Sequence, residues 1–418
     1  MLSLRENTFK IFLIIALLWL SGCDDNPINN ENKITGIIYD FKDLPVPGVT
    51  VNVQNRQPYY LTQADGKFTF ENISAPYDIK IEDIYLFKNL NAQNINLKTI
   101  FSSPIHYKLI YLKIPDILKS SQAGVFKFLS NDPNYSVYKR IYAPDTESDI
   151  VIEYPLNAAS IQGKIIFLSY TFDQNGLIKS YEHYGEKKLT LSNNLIDTVT
   201  FIESELGFDP PECEISLNVE NNAPGFSNSI FSIRFNDYHY EPIMSLMDVS
   251  TDKNNNVIKF IQPSILNYPF DIEIQTSQNS GKGSGNQNLM HLNDCSNGSV
   301  IFSDPMTLEY PQNKQSGINR ETNLIYDLGS SDGVYEITLQ DLSNFYIKIY
   351  TDEKSVNVGD LIDNGFGIYS YVQVLWRVVK FSGYNSINEF VDEPAGGKKI
   401  DMEIKHSEVR IFYTGDLK

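Results

Sequence analysis

Beyond residue 23 the apolar positions of this chain recur with a period of two rather than the longer period of a helix. Alternating or β-branched runs fall at Ile34–Tyr39, Val49–Val53, Lys67–Phe70, Tyr77–Ile81, Lys108–Lys113, Lys164–Tyr170, Ile230–Phe235, Val257–Ile261, Phe270–Gln275, Val334–Thr338, Phe345–Tyr350, Tyr369–Lys380 and Lys399–Lys405. Successive side chains of a strand point to opposite faces, so these runs predict strands with one face in a core. Between them stand Ala64-Asp65-Gly66-Lys67, Asp173-Gln174-Asn175-Gly176, Asp252 to Asn256 and Ser331-Asp332-Gly333, residues that suit hairpin turns with positive φ. Helical spacing is confined to weak stretches at Pro115–Ser121 and Gln340–Asn344. The pattern predicts an all-β protein of tandem antiparallel β-sandwich domains.

The amino-terminal segment breaks this pattern. Ten uninterrupted apolar residues, Ile11 to Leu20, follow Arg5 and Lys10 and end in Leu20-Ser21-Gly22-Cys23. Ten residues are about half of what spans a bilayer, so the stretch reads as the apolar core of a secretory signal. The alternatives are an ordinary signal peptide with a chance cysteine, or a buried helix. The run resembles the lipobox of bacterial lipoproteins. That resemblance implies cleavage between Gly22 and Cys23, loss of residues 1–22, and a lipidated Cys23 as the new first residue. Two or three acyl chains hold a protein stably where one does not.

Residues 23–33, with Asp24, Asp25 and the polar run Asn26 to Lys33, then form a flexible tether. Acidic residues next to such a cysteine resemble the surface-export signal of lipoproteins in Bacteroidetes-like bacteria, which implies the outer membrane and its outer face. In enterobacteria an aspartate there resembles an inner-membrane retention signal, so a periplasm-facing anchor is the alternative.

Charge narrows the partners. The chain carries 34 Lys and Arg against 52 Asp and Glu, and without residues 1–22 the counts fall to 32 and 51, because Arg5, Lys10 and Glu6 leave. Nucleic-acid binding needs clustered cations to release counterions, and Lys187-Lys188 and Lys398-Lys399 are isolated pairs. No nucleic-acid partner is expected. The expected contacts are the membrane through the lipid, and an envelope protein or a glycan.

A chain with 42% hydrophobic residues has material for several cores, and it is too long for one sandwich of about 100 residues. Strand periodicity places the domains after residues 34–114 at about 115–207, 208–315 and 316–418, with Pro210-Pro211 opening the third domain and the polar stretch Pro311 to Arg320 a candidate linker to the fourth. Besides Cys23, Cys213 and Cys295 remain, 82 residues apart. In an exported chain they are candidates for a disulfide worth at most about 4.5 kcal/mol. Two buried free thiols are the alternative.

Residues 34–73 carry Gly36 in an opening strand, Asp40 in its turn, the corner Pro45-Val46-Pro47-Gly48-Val49, and the turn Thr62-Gln63-Ala64-Asp65-Gly66-Lys67-Phe68. Together they resemble the carboxypeptidase regulatory-like domain, a transthyretin-like sandwich also classed with carbohydrate-binding-like folds. Gln63 departs from the family, where Asp or Asn is commoner. The resemblance implies a structural or accessory module rather than a zinc peptidase. The later domains are expected to be immunoglobulin- or fibronectin-like, the last by general patterning.

Catalytic constellations are not evident. His183-Tyr184-Gly185-Glu186 matches the first two ligands of zinc carboxypeptidases, with His291 downstream, but Gly185 and Lys187-Lys188 read as a hairpin tip. His239 and Glu241 lie two apart on a strand pattern and read as a solvated face, and His106 and His406 have no acidic or cysteine company at ligand spacing. Gly281-Lys282-Gly283-Ser284-Gly285 belongs to a polar stretch, Thr276–Asn288, expected as a mobile excursion and a candidate recognition tip, and not as a phosphate loop. Along Tyr369–Trp376 the residues Tyr369, Tyr371 and Gln373 share one face, which could stack sugars, while Trp376 faces the core. The expectation is a non-catalytic structural, binding or adhesion module without a cofactor or metal. The alternatives are a glycan-capturing lipoprotein serving an outer-membrane transporter, and a surface hydrolase whose site no motif reveals.

Overall fold

The computed structural model describes residues 33–417 apart from 41–42, 54–58, 104, 121, 132–136, 156–159, 173–177, 192–195, 208–211, 222–225, 236–243, 251–255, 264–269, 279–283, 293–296, 303, 329–331, 342–344 and 394–401. The fold is all-β, a tandem of β-sandwiches, with two six-residue helices, Val358–Asp363 and Ile387–Asp392. The described parts of the stretches with weak helical spacing are not helical: Gln340 lies in the strand Val334–Asp341, and Asp116 sits in a bend. The real helices are too short to show a period. Their signals are the caps, Asn357 accepting from the Asp360 N–H and Ser386 from the Glu389 N–H.

The first three sandwiches follow one path. In each, the fourth, first and seventh strands make one sheet in that order, with the first and seventh parallel. The third, second, fifth and sixth make the other. The first strands are Ile34–Tyr39, Ile105–Lys113 and Glu212–Asn221, and the sixth are Tyr85–Leu90, Ile178–Leu191 and Gly285–Leu292. The chain is therefore a threefold structural repeat followed by a different domain. That last sandwich sets Leu308–Tyr310, Asn323–Tyr326 and Ser355–Asn357 against a sheet ordered Tyr346–Thr351, Val334–Asp341, Gln373–Ser382, whose outer strand is divided into Met402–His406 and Arg410–Thr414.

Local chemistry in the first domain accounts for its turns. Gly48 and Gly66 adopt φ of 73° and 72°, and Asp40 closes its turn by accepting the Leu44 N–H at 2.9 Å. Gly36 has no room for a side chain, since a Cβ there would overlap the Phe68 ring and lie 2.7 Å from Ile95. Phe68 and Phe70 pack on the same core, their rings 6.0 Å apart.

The domains do not hang as separate beads. The sixth strand of the first domain pairs in parallel with Tyr346–Thr351 of the last, in the register Lys348 to Tyr85, Ile349 to Leu86 and Tyr350 to Phe87. The sixth strand of the third domain pairs with Met402–His406. One 14-stranded sheet thus runs through the third, fourth and first domains. Both faces of the first domain's sixth strand are buried, and the cores merge across it: Tyr85 and Phe87 join Tyr350, Val379 and Ile404, while Leu86 belongs to the core of the last domain. Asn388 on the helix Ile387–Asp392 caps the seam by accepting the N–H groups of Asn91 and Ala92.

This arrangement revises the reading of Thr276–Asn288. Its two ends are strands, Phe270–Gln278 and Gly285–Leu292, and Gly285 to Leu289 pair on both sides, so the Asn and Gln side chains that look like loop material lie within a sheet. Asn286 is 1% exposed. The second and third domains touch where Tyr181 donates to the Ile261 carbonyl at 3.0 Å.

Candidate functional site

The titratable candidates are dispersed rather than grouped. His183 and Glu186 lie in the middle of the strand Ile178–Leu191, not at a hairpin tip, and three residues apart on a strand they face opposite ways. His183 Nδ1 is 2.9 Å from Ser169 Oγ. Ser169 is fully buried, so that pair presents no accessible nucleophile. Glu186 faces Lys164 at 2.8 Å and accepts from the Tyr184 hydroxyl, and the Lys164 hydrogen bond holds its carboxyl below the usual range. His106 is exposed against the Tyr154 ring, and His406 is half-buried between the third and fourth domains. His291 lies opposite Asp271 in the third domain's sheet.

His239, Glu241, Cys295 and the segment with Gly22 and Cys23 lie outside the described residues, and Cys213 is described only as a backbone position opposite Gln262. Among the described residues no three His, Cys, Asp or Glu side chains come together as a metal-holding group. Nor, among them, is any helix long and apolar enough to cross a membrane.

Buried charge serves the sandwiches themselves. Lys380, 1% exposed, meets Asp327 at 2.9 Å, and the Tyr335 hydroxyl donates to the same carboxylate oxygen. Glu336 accepts from the Tyr350 hydroxyl at 2.6 Å and pairs with Lys348 at 2.9 Å. Burial, reinforced by the Glu336 charge, pushes the Tyr350 phenol well above its ordinary range, so it remains a donor. Lys108 is likewise fully buried and held by Asp197 at 2.9 Å.

Among the described residues the exposed apolar side chains include Leu61, Val257, Ile301 and Leu328 as well as several tyrosines. At one end of the last sandwich Tyr371 is 77% exposed and Tyr369 55%, and Tyr413, opposite Gln373 in the sheet, is 37% exposed. The strand begins at Gln373, later than its pattern suggests, because Ser370 and Tyr371 form a turn. Tyr371 holds φ of 61°, an unfavourable backbone for a bulky residue. Thr414 fixes that turn: its hydroxyl donates to the Tyr369 carbonyl at 2.9 Å and accepts the Val372 N–H at 2.8 Å. Trp376 packs in the core, as its face of the strand predicts.

A second tyrosine surface escaped the sequence reading. On the strand Ile105–Lys113, Ile110 and Leu112 enter the core, while Tyr107 and Tyr111 point outward, 61% and 44% exposed. Alternation alone gives that strand one core face and does not say what the other face displays. The missed signal is the company of carboxylates across the sheet, Glu153 opposite Tyr107 and Asp149 opposite Tyr111. The four-stranded sheet of the same domain is covered on both sides, with Val125, Lys127, Ile166 and Leu168 buried on its outer face. The three-stranded sheet is therefore the open one.

No family model matches the chain, and no curated protein matches it. Solved structures show faint likenesses. The TIE protein of Bacillus anthracis is 9% identical over 65% of this chain and 50% of its own, with a TM-score of 0.16. BcpA, the major pilin subunit of Bacillus cereus, is 8% identical over 65% of this chain and 98% of its own, TM-score 0.14. The FN1–FN3 domains of chicken CNTN1 are 7% identical over 75% of this chain and 98% of their own, TM-score 0.17. The chain spans half the length of the Bacillus anthracis protein, and likenesses this slight carry no argument about function.

Proposed function

We propose that the protein is a non-catalytic binding or adhesion module of the bacterial envelope, anchored through a lipid on Cys23, whose rigid sandwiches display tyrosines to a partner. The observation that carries this reading is Tyr371, held at an unfavourable φ yet 77% exposed. A strained aromatic that contributes nothing to a core has its use outside it. The first domain, of carboxypeptidase regulatory-like kind in this proposal, acts as a support. Because the last sandwich pairs with the first, the tyrosines of the last domain sit beside the anchored domain and not at the far end of a string. The tether of residues 23–33 reaches at most about 40 Å.

Within this reading the tyrosines favour a glycan as the partner, as in a lipoprotein that captures glycans for an outer-membrane transporter. Two experiments test it. A palmitate analogue fed to cells is expected to label the protein and not Cys23→Ser; label on both, or on neither, removes the anchor. Full-length protein on beads is expected to bind glycans or cell surfaces and to lose at least ten-fold in Tyr369→Ala/Tyr371→Ala. Equal binding by that variant removes the aromatic tip from the proposal.

A further inference from the structure

We propose that the outer face of the second domain's three-stranded sheet binds a neutral polysaccharide chain laid along the strand Ile105–Lys113. The inference rests on the binding reading above and gives it a second site with a ligand class.

Register defines the face. Glu153 lies opposite Tyr107, Val151 opposite Leu109, Asp149 opposite Tyr111 and Glu147 opposite Lys113, and on the other side Thr198 and Thr200 lie beside Tyr111 and Lys113. Val151 is 44% exposed, and Asp149 and Thr198 are also exposed. The two tyrosines are four residues apart on one face, so their rings are separated by about 13 Å. A single sugar ring cannot cover both. An extended chain of several can, with Val151 and Leu109 beneath its middle.

The chemistry at each ring suits a sugar. The C–H face of a pyranose stacks on a tyrosine, while its hydroxyls need acceptors close by. Cross-strand neighbours have Cβ atoms about 5 Å apart, which places a carboxylate beside each tyrosine. A carboxylate accepts such hydrogen bonds more strongly than a neutral group does. The underside is already fixed by Ile110, Leu112, Ile150, Ile152 and Val199 in the core, so binding orders little.

Charge decides between occupants. Glu147, Asp149 and Glu153 make the face acidic, and its lysine, Lys113, is engaged by Glu147 at 2.7 Å. The whole chain carries −18. Anionic polysaccharides and phosphate-bearing ligands are repelled. A second copy docking by a twofold axis would bring these carboxylates against their own kind.

The test is native affinity electrophoresis of the full chain through gels containing xylan, mannan, starch or a mixed-linkage β-glucan, with polygalacturonate as the anionic comparison. Retardation by at least one neutral polymer is expected, weakened at least ten-fold in Tyr107→Ala/Tyr111→Ala and largely kept in Tyr107→Phe/Tyr111→Phe. Val151→Arg, which leaves both rings in place but blocks the path between them, is expected to weaken it as well, and covers the case in which the alanine pair folds poorly. No retardation by any neutral polymer overturns the inference, as does preference for polygalacturonate, full binding by the alanine pair, or a wild-type dimer in sedimentation that the alanine pair converts to monomer. If retardation survives loss of Tyr107 and Tyr111 but not of Tyr369 and Tyr371, this inference falls and the broader binding reading stands. If neither pair alters any binding by the full chain, both fall.

Discussion

Tyr350 and Phe87 stack with ring centroids 4.7 Å apart and planes 7° from parallel, joining the last sandwich to the first. Phe87 is 1% exposed, so Phe87→Ala removes a buried ring from the merged core and is expected to cost about 3–5 kcal/mol in urea unfolding. Tyr350→Phe keeps the stack but removes the phenol that donates to Glu336, for a smaller loss of about 1–2 kcal/mol. A loss below about 1 kcal/mol for Phe87→Ala would mean that the seam is open in solution.

The buried pair Lys380 and Asp327 gives a second expectation. Lys380→Met leaves a buried carboxylate without this counter-charge, and Asp327→Ala leaves a buried ammonium without its own, so each is expected to lose about 3–5 kcal/mol. The double variant removes both charges and is expected to be more stable than either single one. Denaturant titration of all three checks the order.

How much of this was legible in the residues depends on the range of the interaction. Ile34–Tyr39, Lys67–Phe70 and Tyr77–Ile81 appear in the structure with the bounds their alternation predicts, and Gly48 and Gly66 take the positive φ their turns require. These are local effects. The seam is not local: Tyr85–Leu90 carries apolar groups on both faces because the core of a domain far along the chain packs on the face its own core leaves open, and nothing nearby announces that partner. For the same reason residues 285–288, the end of the stretch expected as an excursion, belong to the strand Gly285–Leu292 and are paired on both sides. The shared path of the first three domains was invisible because topology is held by register, and the residues that make it differ from copy to copy.

His406 predicts the response to acid. Burial, with Arg377 close by, holds its imidazole below the ordinary value of 6.5, so the folded state resists the proton that the unfolded chain accepts. The contribution is intact above pH 6.5 and is lost as pH falls through the lower folded value. Urea midpoints at pH 7.5 and 5 are expected to differ, and His406→Gln to narrow the difference. Because His406 pairs with both Gly285 and Val379, the weakening is expected at the junction of the third and fourth domains, visible as faster amide exchange there.

Tyr371→Gly separates stability from binding. Glycine accepts φ of 61° without strain, so the variant is expected to be as stable as the parent or more stable by up to about 1 kcal/mol. Loss of partner binding with an unchanged or higher melting temperature is the expected pair of results. A lower melting temperature would assign the ring a packing role instead.

Gly36→Ala tests the close approach in the opening strand. The added methyl meets Phe68 and Ile95 from the outset, and overpacking of this kind costs about 1–3 kcal/mol. Thermal unfolding of the variant reads it directly.

The parallel pairing of Tyr85–Leu90 with Tyr346–Thr351 also sets a schedule for the chain's biogenesis. Synthesis proceeds from the amino terminus at about 5–20 residues per second, so the early strand waits on the order of tens of seconds for its mate. Throughout that interval it is a greasy, unsatisfied sheet margin, the kind of surface on which nascent polypeptides stick to one another. Co-expression of a holding chaperone that masks the margin until the final domain arrives is expected to raise the yield of folded protein, and overproduction without one to give aggregates seeded there.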